Sequence, residues 1–399
     1  MNFFKALYCR ALQLIFKIVL PFLPYRDPIV LENITDITKK LNTNDKPFIV
    51  VGPNVYKLGL IDELINDFIK NKINYEIFTE LTPNPTINQA NNAYEIFNSR
   101  GCNKLIALGG GSTLDLAKAV GAMVARPKKT LQKLKGILKV RKKIPTLFAV
   151  PTTAGTGSET TLACVIIDSD NKHKYAINDF QLIPSYAVLD SNMTKTLPKN
   201  IAATTAMDAL THAIEAYIGK GGNKKTRADS LDAIKLIFEN IEEVYFNNTE
   251  LARKNMLIAS FKAGKAFSKA YVGYVHALAH ALGVFYNTPH GLANAVILPI
   301  VLREYGKSIY KKLKKIAIYC GIATNETDEN IAAMLIIEKI EELNKKFEIP
   351  LTIKINEADI KSMAKMANKE ANPLYPVPVL WDKRKLLEMY MKIGGLNNR

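Results

Sequence analysis

Lys104-Leu105-Ile106-Ala107-Leu108-Gly109-Gly110-Gly111-Ser112-Thr113-Leu114-Asp115 runs from a short apolar segment through three glycines into a segment of helical period. That order reads as strand, turn and helix, the unit from which parallel α/β sheets are built. Upstream, Phe48 to Val51 reads as a strand ended by Gly52-Pro53, Leu60 to Asn71 as a helix, Tyr75 to Phe78 as a strand, and Ile87 to Arg100 as a helix capped by Gly101. Downstream, the helix continues to about Ala125 and Thr146 to Val150 reads as another strand. After about Pro198 the character changes. Long helical segments follow one another at Ile201 to Tyr217, Thr226 to Phe246, Glu250 to Phe267, Tyr274 to Leu282 and Ala293 to Tyr305, and strand signals almost vanish. The expected organisation is an extra amphipathic helix over 1–25, an α/β domain with a parallel sheet over 26–197, and an all-α domain over 198–399.

A chain of 399 residues, nearly half of them apolar, is long enough for two such cores. Its formal charge is +17, and the distribution of charge narrows the meaning. No acidic residue lies between Asp115 and Glu159, while Lys118, Arg126, Lys128, Lys129, Lys133, Lys135, Lys139, Arg141, Lys142 and Lys143 do. Without interleaved stacking aromatics or a nucleic-acid motif, this stretch is expected to be a solvated surface that steers anionic ligands, and no nucleic-acid partner is expected. The four cysteines are far apart and form no CxxC pair, so a reducing, cytoplasmic compartment is expected. In the first 25 residues, Phe4, Leu7, Ala11, Leu14, Ile15 and Ile18 recur at helical spacing, with Lys5, Cys9, Gln13 and Lys17 elsewhere and Pro21 and Pro24 at the end. Charges at Lys5, Arg10 and Lys17 break the run of roughly 18 apolar residues that a membrane span needs. The expected role is a helix docked on its own domain or on a second subunit, with a membrane surface as the second reading.

Three stretches carry chemistry. Gly109 to Ser112 places glycines and a helix N-terminus where a phosphate could be held, although it is not a GxGxxG pattern; a plain turn with Ser112 as N-cap is the alternative. Pro151-Thr152-Thr153-Ala154-Gly155-Thr156-Gly157-Ser158-Glu159 follows another strand and suits close approach to a pyrophosphate or a flat ring, or else caps the next element. The third is a ligand set. Asp208 and His212 are spaced i, i+4, as are His276 and His280, and His290 follows in Thr288-Pro289-His290-Gly291. The chain has five histidines and four lie in these apolar stretches, which points to a divalent metal; imidazole and carboxylate suit Fe(II), Zn(II), Co(II) and Ni(II) alike.

Together, Gly109-Gly110-Gly111-Ser112 with Asp115, Pro151 to Glu159, Asp208 to Tyr217, and His276 through Tyr286-Asn287-Thr288-Pro289-His290-Gly291-Leu292-Ala293-Asn294 resemble the iron-containing (group III) alcohol dehydrogenase family. The resemblance covers roughly 27–390 and implies the dehydroquinate synthase-like architecture, an NAD(P)-dependent interconversion of small alcohols with aldehydes or ketones, and a homodimer. It implies Asp208, His212, His276 and His290 as ligands of Fe(II), with Zn(II) second. It places His280 near the nicotinamide and substrate without binding metal, as a proton carrier or a core histidine that steadies the ligand helix. Gly109 to Ser112 would hold the pyrophosphate, Asp115 would belong to the same cofactor-binding set, Thr152, Thr153 and Thr156 would line the cofactor, and Lys174, in Lys172-His173-Lys174-Tyr175, would reach the ribose. In Val50-Val51-Gly52-Pro53-Asn54, Gly52 stands where NAD-preferring members carry an aspartate. That departure, beside Asn54, leads us to expect NADP(H) to be used at least as well as NAD(H). Phe267, Tyr271 and Trp381 are candidates for pocket walls. Alternatives are a glycerol-type polyol dehydrogenase of the same fold and a non-catalytic metal- and nucleotide-binding protein.

Overall fold

In the computed structural model, described for residues 1–19, 22–168 and 173–396, the chain divides into two compact units. One comprises Pro24–Leu197; the other comprises Pro198–Arg399 together with Met1–Leu23, which carries helix α1 (Phe3–Val19). Pro21, expected to end the first helix, lies outside the described residues.

The Pro24–Leu197 unit holds β1 (Ile29–Leu31), β2 (Pro47–Val51), α2 (Pro53–Lys57), α3 (Asp62–Lys70), β3 (Glu76–Phe78), α4 (Ile87–Ser99), β4 (Lys104–Gly109), α5 (Gly111–Ala125), α6 (Leu131–Leu134), β5 (Gly136–Ile137), β6 (Thr146–Pro151), β7 (Ala163–Asp168), β8 (His173–Asn178) and β9 (Tyr186–Val188). Six strands form one parallel sheet in the order β1-β9-β6-β4-β2-β3. Beyond the partly buried Lys104 and Thr146 at their starts, its central strands β2, β4 and β6 are apolar because both faces are covered. Side chains alternate between faces: Phe48, Val50, Leu105, Ala107, Leu147 and Ala149 enter one core, while Ile49, Val51, Ile106, Leu108, Phe148 and Val150 enter the other. In this order β2 is followed by β3 on one side and by β4 on the other. That reversal opens a crevice at the carboxyl ends of the strands, where ligands of open α/β sheets bind.

A second, three-stranded sheet was not expected from the sequence: β7 pairs antiparallel with β8, and β8 pairs parallel with β5. The apolar run Ala163 to Ile167 in β7 is as long as that of β2, but β5 has two residues and β8 mixes His173, Lys174 and Asn178 with its apolar positions, so no set of matching runs marks this sheet.

The other unit is helical: α7 (Lys199–Ile218), α8 (Lys224–Phe246), α9 (Glu250–Ala270), α10 (Tyr274–Tyr286), α11 (His290–Tyr305), α12 (Tyr310–Tyr319), α13 (Glu329–Lys346), α14 (Glu357–Ala371) and α15 (Lys383–Ile393), with no strand among its described residues. Helix α10 runs one turn past the expected Leu282, and α11 starts at His290 rather than Ala293. α7 is rich in alanine and buried almost all round against α8, α9 and α11. Alanine gives it helical propensity and lets those neighbours approach closely.

Candidate metal centre and nucleotide edge

Three helices of the helical unit deliver one cluster. Asp208 and His212 stand one turn apart in α7, His276 lies in the first turn of α10, and His290 opens α11. One ligand atom from each lies within 4.8 Å of every other, and all but the partly exposed His290 are buried. Asp208 Oδ1 is 3.5 Å from His290 Nε2 and 3.9 Å from His276 Nε2.

Glu215, two turns beyond Asp208 on α7, aims these donors. Its carboxylate accepts backbone N–H groups of Gly273 at 2.7 Å and Val275 at 2.8 Å, which caps the start of α10. It also faces His276 Nδ1 at 2.7 Å. A carboxylate can only accept there, so Nδ1 carries the proton and Nε2 keeps its lone pair toward the cluster. A side chain at Gly273 would collide with this arrangement, since its Cβ would lie 2.6 Å from Glu215 Oε1. Burial pushes Glu215 up to about 7, opposed by the N–H groups it accepts from. Burial, reinforced by the neighbouring His212, His290 and His280 rings, holds His276 well below the usual imidazole range, which keeps it neutral.

Asn294, fully buried one turn beyond His290, donates through Nδ2 to Asp208 Oδ1 at 2.6 Å and lies 3.2 to 3.3 Å from His290 Nε2 and His276 Nε2. Its Oδ1 is buried with no hydrogen-bond partner among the described residues. Three acceptors converging on one donor, with a spare acceptor beside them, fit a divalent cation, and the donor set of one carboxylate and three imidazoles suits a first-row metal.

His280 points elsewhere. Its Nδ1 meets Glu370 Oε1 of α14 at 2.6 Å, and the Tyr375 hydroxyl donates to the same oxygen at 2.8 Å. Burial alone would raise Glu370, but the His280 imidazole and its hydrogen bond outweigh it and hold the carboxyl below its ordinary range. The His280 ring stacks on His290 with centroids 5.1 Å apart and stays partly exposed. The three expected wall residues separate. Phe267 stacks on His212 at 4.1 Å, whereas Trp381 packs in the core between Tyr274 and Tyr305 and Tyr271 packs on Phe16 of α1. The sequence reading missed Glu215, Asn294 and Glu370 as partners.

In the α/β unit, Gly52 and Thr152 follow strands β2 and β6 and Gly109 ends β4 between them, with the strands in register at Val51–Leu108 and Gly109–Pro151. Thr152 N donates to Gly109 O at 3.1 Å, and Thr153 borders Gly110. Thr156 covers Gly111 so closely that a Cβ there would lie 3.2 Å from its hydroxyl. Asn54 is exposed in α2, directly beyond Gly52. Ser112 is not the N-cap of α5. Gly110 holds that position, and Ser112 Oγ accepts the N–H of Asn84 at 3.1 Å, because inside the first turn it can serve a neighbouring loop instead. Asp115 Oδ1 accepts from Ser158 Oγ at 3.3 Å. Lys174 lies on β8, but its side chain is outside the described part of the structure.

Lys118 corrects the reading of the acid-free stretch as solvated throughout. It is fully buried, and its ammonium donates to Ser158 O (2.7 Å) and Oγ (3.2 Å), Thr161 O (3.0 Å) and Oγ1 (2.9 Å), and Ala163 O (2.9 Å). One cation thus ties α5 to the loop that carries Thr152 to Ser158.

The profile of the family described as iron-containing alcohol dehydrogenase matches residues 26–191, and that of the C-terminal part of the Fe-containing alcohol dehydrogenase family matches residues 202–393. The chain is 36% identical over 343 residues to a 1,3-propanediol dehydrogenase of Citrobacter freundii, covering 85% of this chain and 88% of the relative. It is 33% identical to an NADPH-dependent butanol dehydrogenase of Clostridium saccharobutylicum over 84% of this chain and 86% of the relative. A crystal structure of 1,3-propanediol oxidoreductase superposes with a TM-score of 0.87 at 32% identity, over 92% of this chain and 99% of the other.

Proposed function

From the premise that this chain belongs to the iron-containing alcohol dehydrogenase family, we propose that it reduces a small aldehyde or ketone, or oxidises the matching alcohol, with NADP(H) at least as readily as with NAD(H). The observation that carries the reading is the gathering of Asp208, His212, His276 and His290 within 4.8 Å, with Glu215 turning a lone pair of His276 toward them. A divalent cation held there, iron in this family, would polarise a substrate oxygen as a Lewis acid, while a nicotinamide carries the hydride. The protein supplies the rest. One carboxylate and three neutral imidazoles leave such a site net positive, which favours charge building up on oxygen. Glu370 fixes the His280 ring by its Nδ1, and partial exposure lets that ring pass a proton to solvent. The turn from Gly109 to Ser112 offers backbone N–H groups at a helix start for a pyrophosphate, and Thr152, Thr153 and Thr156 border it. Gly52 presents no carboxylate to repel a 2′-phosphate.

All four cysteines are free thiols, which supports a reducing, cytoplasmic setting, and a homodimer is the family expectation that we retain. The kinship with propanediol and butanol dehydrogenases does not favour a glycerol-type polyol dehydrogenase. The test is metal analysis of anaerobically purified protein, combined with nicotinamide oxidation on a panel of aldehydes. We expect a stoichiometric divalent metal, turnover, and a kcat/KM for NADPH no lower than for NADH. Asp208→Ala should keep its circular dichroism while losing metal and turnover together. Near-normal turnover in that variant would refute the assignment, and a strong NADH preference would refute the cofactor reading.

A further inference from the structure

Helix α1 is mounted inside out. Amphipathic helices normally bury their apolar stripe, yet the buried residues of α1 are Cys9 and Gln13. Its polar groups make the dock. Gln13 Nε2 donates to Pro373 O at 3.0 Å and Tyr375 O at 2.8 Å, and the Arg10 guanidinium donates to Val377 O at 2.8 Å and Pro378 O at 3.0 Å. These carbonyls belong to the segment between α14 and α15, within the same unit. The apolar side is left outward. Phe4, Leu7, Leu14, Ile15 and Ile18 are each more than half exposed, and Phe22, beyond the helix, is 85% exposed. A contiguous stripe of this kind marks an interaction site.

Charge identifies the occupant. Residues 1–26 contain no Asp or Glu. At about 100° per residue, Lys5 and Lys17 fall on opposite borders of the stripe, where their stems can lie along an apolar layer and their ammonium groups can reach its polar surface. Lys17 is also one of a group of cations, with Lys220, Arg227 and Lys312, close enough to repel one another; beyond the burial of Lys312, the other three act against its charge. A second copy of this chain would bring these cations against their own counterparts, on a molecule already at +17. A layer of phosphates would neutralise them. No helix among the described residues is long and apolar enough to cross a membrane, so the stripe suits lying in the plane of a surface. The helix also precedes the family match, which begins at residue 26, and is therefore an addition to the shared fold.

We propose that α1 seats its apolar stripe in the headgroup region of an anionic phospholipid bilayer and so holds the enzyme at a membrane surface.

The test is flotation of the full-length, metal-loaded protein with phosphatidylcholine vesicles, with and without phosphatidylglycerol. Three proteins are compared: wild type, a triple variant carrying Leu7→Glu, Leu14→Glu and Ile18→Glu, and a charge variant carrying Lys5→Glu and Lys17→Glu. We expect the wild type to float with the anionic vesicles and to bind neutral ones about tenfold more weakly or worse, with a comparable loss in both variants. The substituted side chains are already in solvent, so lipid-free aldehyde reduction and sedimentation mass should be unchanged. A Leu14→Trp variant should shift its emission to the blue when anionic vesicles are added. Equal flotation of the triple variant, equal binding to neutral and anionic vesicles, or no flotation of the wild type would overturn the proposal. A triple variant that falls to a smaller assembly would overturn it too, by showing that a second copy covers the helix.

Discussion

Glu215 stands three residues beyond His212 and seven beyond Asp208, so all three face one side of α7. Sequence reasoning marks Asp208 and His212 as ligands, yet an acid inside Ala213-Ile214-Glu215-Ala216-Tyr217 has no apolar reason to be there, and its spacing is the signal. Asn294 was equally visible, one turn after His290 in a stretch already quoted. Glu370 was not, because nothing local ties a glutamate on α14 to a histidine 90 positions earlier. Ligand types and helical spacing are legible in sequence, whereas the atom that orients a ligand depends on which helices meet. Because Glu215 sets the His276 tautomer, Glu215→Gln should weaken metal binding about 10- to 100-fold while the protein stays folded. Competition with a chromophoric chelator reads this directly. Unchanged affinity would mean that another group orients the ring.

At the scale of elements, β2, β4 and β6 were legible because a strand covered on both faces must be apolar at every position. The edge strands β1 and β3 and the inner strand β9 span three residues each, too short for a period to show, and of these the sequence marks β3 alone. Helix α5 shows a different limit. It is buried along nearly its whole length, so no solvated face was available for Lys118, and the composition of the acid-free stretch did not mark which cation turns inward. The Lys118 ammonium shares its three N–H groups among five oxygens of the Ser158–Ala163 segment. Lys118→Met would remove those donors from a buried cluster whose remaining hydrogen bonds are long, such as Thr161 N and Oγ1 to Ser158 O at 3.3 and 3.4 Å, at a cost on the order of 1–3 kcal/mol. Urea unfolding should show that loss. Fluorescence titration should show weaker NADPH binding, because that segment begins at Ser158, whose N–H donates to the Thr156 hydroxyl bordering Gly111. Retained stability with retained NADPH affinity would leave the cage without a role in either.

At the scale of the whole molecule, the change from strand–helix alternation to uninterrupted helices was legible, since burying a sheet and burying a helix bundle demand different apolar periods. The mounting of α1 was not: periodicity gives an amphipathic helix but cannot say that its polar stripe meets the carbonyls of Pro373, Tyr375, Val377 and Pro378. Nor does a net charge of +17 say where repulsion is felt. The structure places some of it at Lys312, which donates to Ile218 O and Gly219 O at the end of α7. Burial first, then Arg227, Lys220 and Lys17, push its ammonium down to about 8. In the unfolded chain a lysine titrates near 10.4. At a pH below about 8 both states hold the proton and the penalty on the fold is constant. Between about 8 and 10.4 the unfolded chain binds more protons, so stability must rise with pH across that window. The Lys312 contribution to the urea midpoint should therefore climb between about pH 8 and 10. It is read as the difference between wild type and Lys312→Met, because Lys118 and Lys220, which burial also pushes down, and the buried thiols of Cys102, Cys164 and Cys320, which burial pushes up, titrate alike in both proteins. Added salt should shrink the slope in the wild type by screening the Coulombic share and leave the burial share in place. Equal slopes in the two proteins would place the repulsion elsewhere on the surface.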